Sequence, residues 1–258
     1  MNKGTFEGTA EEILFVKNLN KKNDLVIWQK LNISPNNHWA IRVITRKFGK
    51  INNEKILPKA DVFIAKGDLP SEYLMSNDYF LDENDLKKFN LVPQKDSGIS
   101  IKRKDSKRFQ IVKMSPKTFW KLFKSNVLAI GASIYCNRDE ELIKNNDVLH
   151  GWKEKEDDFV DYYCKKLHVD KFSMTSKDSK DILKKIKTFS NNKIKEIVEE
   201  NDFISNYIFF GIGNFDEPFT AKWIYKNAKF EENDKMPFIV TTGSGRSKGV
   251  YTIVLKPL

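Results

Sequence analysis

A carboxylate inside an apolar run is the first feature of this sequence with chemical content. Asp61 interrupts residues 60–65, Ala-Asp-Val-Phe-Ile-Ala. An ionised acid is costly there unless a hydrogen-bonding or positive group meets it. Downstream, Ile99-Ser100-Ile101-Lys102 reads as a strand whose side chains alternate between two faces. With the isoleucines in the core, Ser100 and Lys102 share the other face and can meet Asp61 on an adjacent strand. A carboxylate, a hydroxyl and an ammonium at one spot suit phosphodiester hydrolysis. Asp61 would hold Mg²⁺, a hard cation that takes one or two protein carboxylates and keeps most of its waters. Ser100 would support the metal. Lys102 would orient the attacking water and pair with the phosphate as a compact charge. Glu12 lies one turn before Val16 on a helical pattern and could add a second carboxylate. The plainer alternative is a structural ion pair between Asp61 and Lys102, with Glu12 a solvated first-turn acid.

The elements that must position these groups follow from periodicity. Residues 6–20 predict a helix, with Phe6, Ala10, Ile13, Leu14, Val16 and Leu19 as its apolar stripe. Strands are expected at 39–45 and 56–65, then a polar insertion over 68–97 carrying a short helix near 82–89. Two further strands, 99–103 and 109–114, are close enough to form a hairpin through 104–108. Ser115-Pro116 starts a helix that runs to about Lys124, because a hydroxyl caps it and proline fits its first position. Trp120 and Phe123, at helical spacing, read as core. Residues 127–134 continue as helix and 139–210 are mostly helical. Strands at 222–225, 238–242 and 250–255 close the chain, the last two around a glycine-containing loop. Helix, sheet, helices and strands in that order, without alternating βαβ units, predict a mixed α/β (α+β) fold. It has a central mixed sheet flanked by helices, a helical insert and a C-terminal β-hairpin.

Pro58-Lys59-Ala60-Asp61-Val62 followed by Ile99-Ser100-Ile101-Lys102 resembles the PD-(D/E)XK nuclease superfamily. More narrowly, it is similar to the type II restriction endonucleases in which serine or asparagine replaces the second acid. The resemblance covers roughly residues 1–125. It implies a restriction-endonuclease-like αββαβ core, with Asp61, Ser100, Lys102 and Glu12 as catalytic residues and Asp61 and Ser100 on the metal. It also implies Mg²⁺ dependence and cleavage of double-stranded DNA by a homodimer at a short palindrome. The chain departs from the pattern in three ways. Two residues separate the proline from Asp61, the second acid is Ser100, and the insertion between the motifs is long. Residues 1–125 are therefore expected to form the catalytic core. Residues 126–258 would form a helical and C-terminal β region of the same globular unit that recognises DNA.

Charge agrees with a polyanionic partner. The 258 residues hold 45 Lys and Arg against 35 Asp and Glu, a net charge of +10. Arg103, Lys104, Lys107 and Arg108 form a cluster that reads either as a solvated hairpin tip or as a track for the DNA backbone. In the C-terminal loop, Ser244, Arg246 and Lys248 could enter a groove, where arginine reads guanine bidentately. A plain glycine turn is the alternative. His38, His150 and His168 lack mutual ligand spacing, and Asp157, Asp158 and Asp161 read as a solvated helix face. Two cysteines without CxxC spacing argue against zinc or a disulfide framework. No uncharged run approaches the ~18 apolar residues of a membrane span, and no signal-like block opens the sequence, so the expected setting is the cytoplasm. A non-catalytic nucleic-acid-binding protein and a structure-specific repair nuclease are the rival functions.

Overall fold

The computed structural model describes residues 3–22, 24–43, 50–51, 54–55, 59–102, 109–211, 220–243 and 251–258. The chain divides into two compact units, Met1–Lys107 with Asn206–Lys235, and Arg108–Ser205 with Met236–Leu258.

In the first unit, helices α1 (Lys3–Asn20) and α2 (Leu25–Leu31) precede strand β1 (His38–Arg42). A two-stranded ribbon, β2 (Lys50–Ile51) and β3 (Glu54–Lys55), follows, and then β4 (Val62–Lys66). The polar insertion folds as α3 (Ser71–Ser76), α4 (Glu83–Lys88) and β5 (Val92–Pro93), which returns to pair with β4. Asp82 caps α4 through a reciprocal box with Asp85. Strand β6 (Ile99–Lys102) then enters the sheet. Its other neighbour is β8 (Trp223–Lys226), which turns into β9 (Lys229–Glu232). The order is β1-β4-β6-β8-β9. Among the described strands β6 and β8 run parallel and the other neighbours antiparallel, so the sheet is mixed.

Apolar alternation seats α1 on this sheet. Phe15, Val16 and Leu19 are buried with Trp28 of α2 and with Ile41, Phe63, Ile64 and Ile99 of the strands. Each such side chain contributes roughly 1.5–3 kcal/mol by leaving water. The end of α1 is fixed by polar contacts. Asn20 donates through Nδ2 to the Ala40 carbonyl (2.8 Å) and accepts from the Ala40 amide (2.9 Å). The expected stripe is shifted in phase: Leu14 is exposed and Phe15 takes the inward place.

In the second unit, β7 (Val112–Met114), β10 (Phe238–Thr242) and β11 (Ile253–Pro257) form an antiparallel sheet, with β11 in the middle. Its helices are α5 (Pro116–Phe123), α6 (Val127–Ser133), α7 (Asp139–Ile143), α8 (Asn145–Trp152), α9 (Glu156–Leu167) and α10 (Lys180–Glu200). A 3-10 turn, Lys177–Ser179, leads into α10. The last helix, α11 (Asp202–Phe210), crosses the boundary between the units in sequence. Glycine lets α6 approach α10 closely. A Cβ on Gly131 would meet Ser190 Oγ, which hydrogen-bonds the Tyr163 hydroxyl at 2.6 Å.

The fold is thus mixed α/β, with a central mixed sheet, a helical region inserted between its strands and a C-terminal β10–β11 hairpin. Three local expectations are corrected. The hairpin of residues 99–103 with 109–114 does not form. Both edges of β6 are taken, by β4 and by the parallel β8, and β7 pairs with β11 in the other sheet. Strand β4 begins at Val62, so Asp61 stands just before the strand. Trp120 is 52% exposed, because Phe119, Leu122 and Phe123 form the inward stripe of α5.

Candidate active site

The register of β4 and β6 creates the site. Val62 lies opposite Ile99, and the antiparallel ladder continues one step as the Asp61 amide donates to the Ile99 carbonyl (2.9 Å). Asp61 therefore lies beside Ser100. Asp61 Oδ2 accepts from the Ile101 amide at 2.7 Å and from Ser100 Oγ at 3.1 Å. Ser100 Oγ in turn accepts from Lys102 Nζ at 2.7 Å. A hydroxyl has one proton to give and lone pairs to receive, so Lys102, Ser100 and Asp61 form a single directed chain. Ser100 is 2% exposed. At that depth an unmade hydrogen bond costs about 1–3 kcal/mol, which favours the closed chain. Both hydrogen bonds to Asp61 fall on Oδ2, and Oδ1 takes none among the described residues.

Glu12 comes from α1 and does not join this chain. Its Oε2 lies 3.4 Å from Arg42 Nη2 on β1, and Arg42 also donates to the Asp78 carbonyl. Burial, followed by the negative charge of Asp61, pushes the Glu12 carboxyl up to about 7, although Arg42 opposes the shift. The two carboxylates thus feel one another.

Lys59 is a site residue to which the sequence pattern assigns no role. Its Nζ donates to the Ile208 carbonyl near the end of α11 (2.8 Å). Burial, then the Lys102 charge, brings its ammonium down to about 7 against the pull of Asp61. Burial also lowers Lys102, and Asp61 again opposes the shift. A signal for Lys59 exists. It stands two residues before Asp61, and in an extended chain that spacing places two side chains on one side. Beside Lys102, a cavity of about 470 Å³ opens between α1, α2 and the β8–β9 turn, with Phe15, Asn18 and Tyr225 in its walls.

The remaining basic residues expected to contact DNA, Arg103, Lys104, Lys107, Arg108, Arg246 and Lys248, lie outside the described residues, as does Ser244.

The donor set discriminates between metals. Among the described residues no three His, Cys, Asp or Glu side chains converge, so no site of the zinc type is present among them. One carboxylate with an uncommitted oxygen, a second carboxylate within its field and a hydroxyl suit a hard cation that retains water. The mutual repulsion of Asp61 and Glu12 is relieved by positive charge. The donor types would suit a hard, largely hydrated cation and not a cluster of three or more protein carboxylates, histidines or thiolates, which the described residues do not form.

No family model and no curated protein matches the chain. Among solved structures, a crystal structure of the restriction endonuclease MspI in complex with its cognate DNA aligns with 92% of this chain and 77% of that one. The two share 12% sequence identity with a TM-score of 0.37, too slight a likeness to assign a function. Among the described residues, no helix is long and apolar enough to cross a membrane.

Proposed function

We propose that this chain is a Mg²⁺-dependent endonuclease of the type II restriction class, hydrolysing phosphodiester bonds of double-stranded DNA at a short sequence. The observation that carries the proposal is the chain Lys102 Nζ, Ser100 Oγ, Asp61 Oδ2, closed across two neighbouring strands. A structural ion pair would bring Asp61 and Lys102 into direct contact. Here a buried hydroxyl stands between them, and both hydrogen bonds to Asp61 fall on Oδ2, which leaves Oδ1 for a ligand.

Asp61, supported by Ser100 and with Glu12 nearby, would hold the ion. When bound, Mg²⁺ supplies Lewis acidity that makes a water more acidic and offsets charge on the phosphate. Lys102 holds the phosphate as a point charge. Burial makes its ammonium easier to deprotonate, and in the neutral form, in place of that charge, its amine takes a proton from the attacking water and becomes the ammonium. The water oxygen bonds to phosphorus as the P–O bond to the departing sugar oxygen breaks. Ser100 keeps the amine aligned. In this reading residues 1–125 supply the catalytic core. Residues 126–258, together with Arg103, Lys104, Lys107, Arg108, Ser244, Arg246 and Lys248, supply DNA contacts. A homodimer matches a palindromic site, since protein symmetry mirrors that of the operator.

Incubation with plasmid DNA, in Mg²⁺ or in chelator, tests the proposal. Discrete fragments in Mg²⁺ alone support it. Retarded but uncut DNA across metals and sequences replaces it with a binding protein. A smear, or cutting confined to junctions, indicates a nuclease without a sequence rule.

A further inference from the structure

Helix α5 carries two faces of different chemistry. Ser115 caps it by accepting from the Thr118 amide, and Pro116 occupies its first turn. Phe119 and Leu122 are buried. Phe123 stacks on Phe119 at 4.2 Å, and Phe119 meets the edge of Trp152. The outward stripe consists of Lys117, Trp120, Lys121 and Lys124, at positions i, i+3, i+4 and i+7, all exposed. Lys124, the C-cap, sets its ammonium 5.5 Å from the Trp120 ring. No acidic residue occurs in α5.

A single exposed indole is ordinary by itself, but here Trp120 stands among three ammoniums on one face, an aromatic set in positive charge of the kind that contact surfaces use. Three ammoniums on the same stripe, with no acid in α5 to offset them, complement a polyanion. The stripe is roughly 10 Å long at 1.5 Å per residue. Each strand of duplex DNA carries one charge per about 3.4 Å, so that length runs beside about three phosphates of one strand. A membrane-lying helix needs a broad apolar face, whereas the apolar face of α5 is already committed to its own core.

We propose that the outer face of α5 binds the phosphate backbone of duplex DNA, with Lys117, Lys121 and Lys124 on phosphates. Trp120 packs on the sugars, its indole N–H donating to a phosphate oxygen. The choice of DNA as the polyanion rests on the proposed function. The location of the surface does not depend on the Asp61 centre.

The test uses the full-length D61A chain in chelator, so that binding is read without cleavage. A random 30-base-pair duplex is titrated by fluorescence anisotropy between 50 and 200 mM salt. Each phosphate contact contributes about 0.9 to the slope of log affinity against log salt. K117Q/K121Q is expected to lower that slope by about 2 and to weaken binding at least tenfold at 100 mM salt. W120A is expected to weaken binding severalfold, and W120F to recover part of the loss. K87Q/K88Q, which removes two exposed lysines from α4, is expected to leave the slope unchanged. Equal slopes for D61A and the α5 variants would overturn the proposal. So would W120-dependent binding to vesicles of anionic phospholipid without binding to DNA. If the wild-type chain never cuts but the α5 variants lose slope, the surface stands and the nuclease reading falls. If the wild-type chain cuts and the slope is unaltered, the nuclease reading stands and the surface falls.

Discussion

The hydroxyl of Ser100 lies 3.1 Å from Asp61 Oδ2 and donates to it. Because the serine Oγ also accepts from Lys102 Nζ, this one side chain both holds the acid and aims the amine. Ser100→Ala removes both functions. Cleavage is expected to fall ten- to a hundredfold, and folding stability by about 1–3 kcal/mol, since Asp61 Oδ2 loses the donor that Ser100 supplies from a buried position. Urea unfolding beside a timed plasmid digest measures both. Unchanged cleavage would mean that Asp61 and Lys102 act without the bridge.

Glu12 makes stability depend on pH. Its carboxyl is raised from 4.5 to about 7, so the native state holds the proton more tightly than the unfolded chain. The stability tied to that proton is fully present below pH 4.5 and is lost as pH rises through about 7. For a side chain 26% exposed, the interval corresponds to about 3 kcal/mol as an upper figure. Urea midpoints of the wild type are expected to fall between pH 5 and pH 8 relative to Glu12→Gln. Parallel curves would contradict the assignment.

Lys59 acts in the opposite direction. Its ammonium is depressed from 10.5 to about 7, so between those limits the unfolded chain binds more protons and stability rises with pH. Lys59→Met is expected to flatten that rise between pH 7 and pH 9.5, read as the difference in urea midpoint. An equal rise in both proteins would show that Lys59 stays charged.

Asn20 fastens α1 to β1 through both hydrogen bonds to Ala40. Asn20→Ala leaves a buried amide and carbonyl unanswered and is expected to cost about 1–3 kcal/mol. Because α1 carries Glu12, the Mg²⁺ concentration needed for half-maximal cleavage should also rise. A stability loss with no change in Mg²⁺ requirement would separate Glu12 from the metal.

Parts of this arrangement are legible in the sequence, for physical reasons. Strand alternation alone places Ser100 and Lys102 on one face, and the apolar setting of Asp61 demands a partner; local rules supply these two halves, and the pairing of Val62 with Ile99 joins them. Pairings between distant segments do not. The parallel β6–β8 contact joins residues 99–102 to 223–226, and no local pattern announces it. The nearby residues 109–114 therefore look like the natural partner of β6, although their edge goes to β11. Arg42 meets the site from β1, and Lys59 is anchored on the Ile208 carbonyl of α11; spacing along the chain reveals neither contact, although it does set Lys59 on the side of Asp61. Trp120 reads as core in the sequence yet faces outward, because Phe119, Leu122 and Phe123 also satisfy helical spacing. Periodicity alone does not select between stripes offset by one residue.

A double-mutant cycle on Mg²⁺-dependent plasmid cleavage tests the central claim most directly, using Asp61→Ala, Lys102→Ala and the double variant. Groups that act as one centre give strongly non-additive losses. Each single variant should fall to nearly the same background as the double. Cleavage that survives in Asp61→Ala, or losses that simply add, would show that the two residues do not share one catalytic centre.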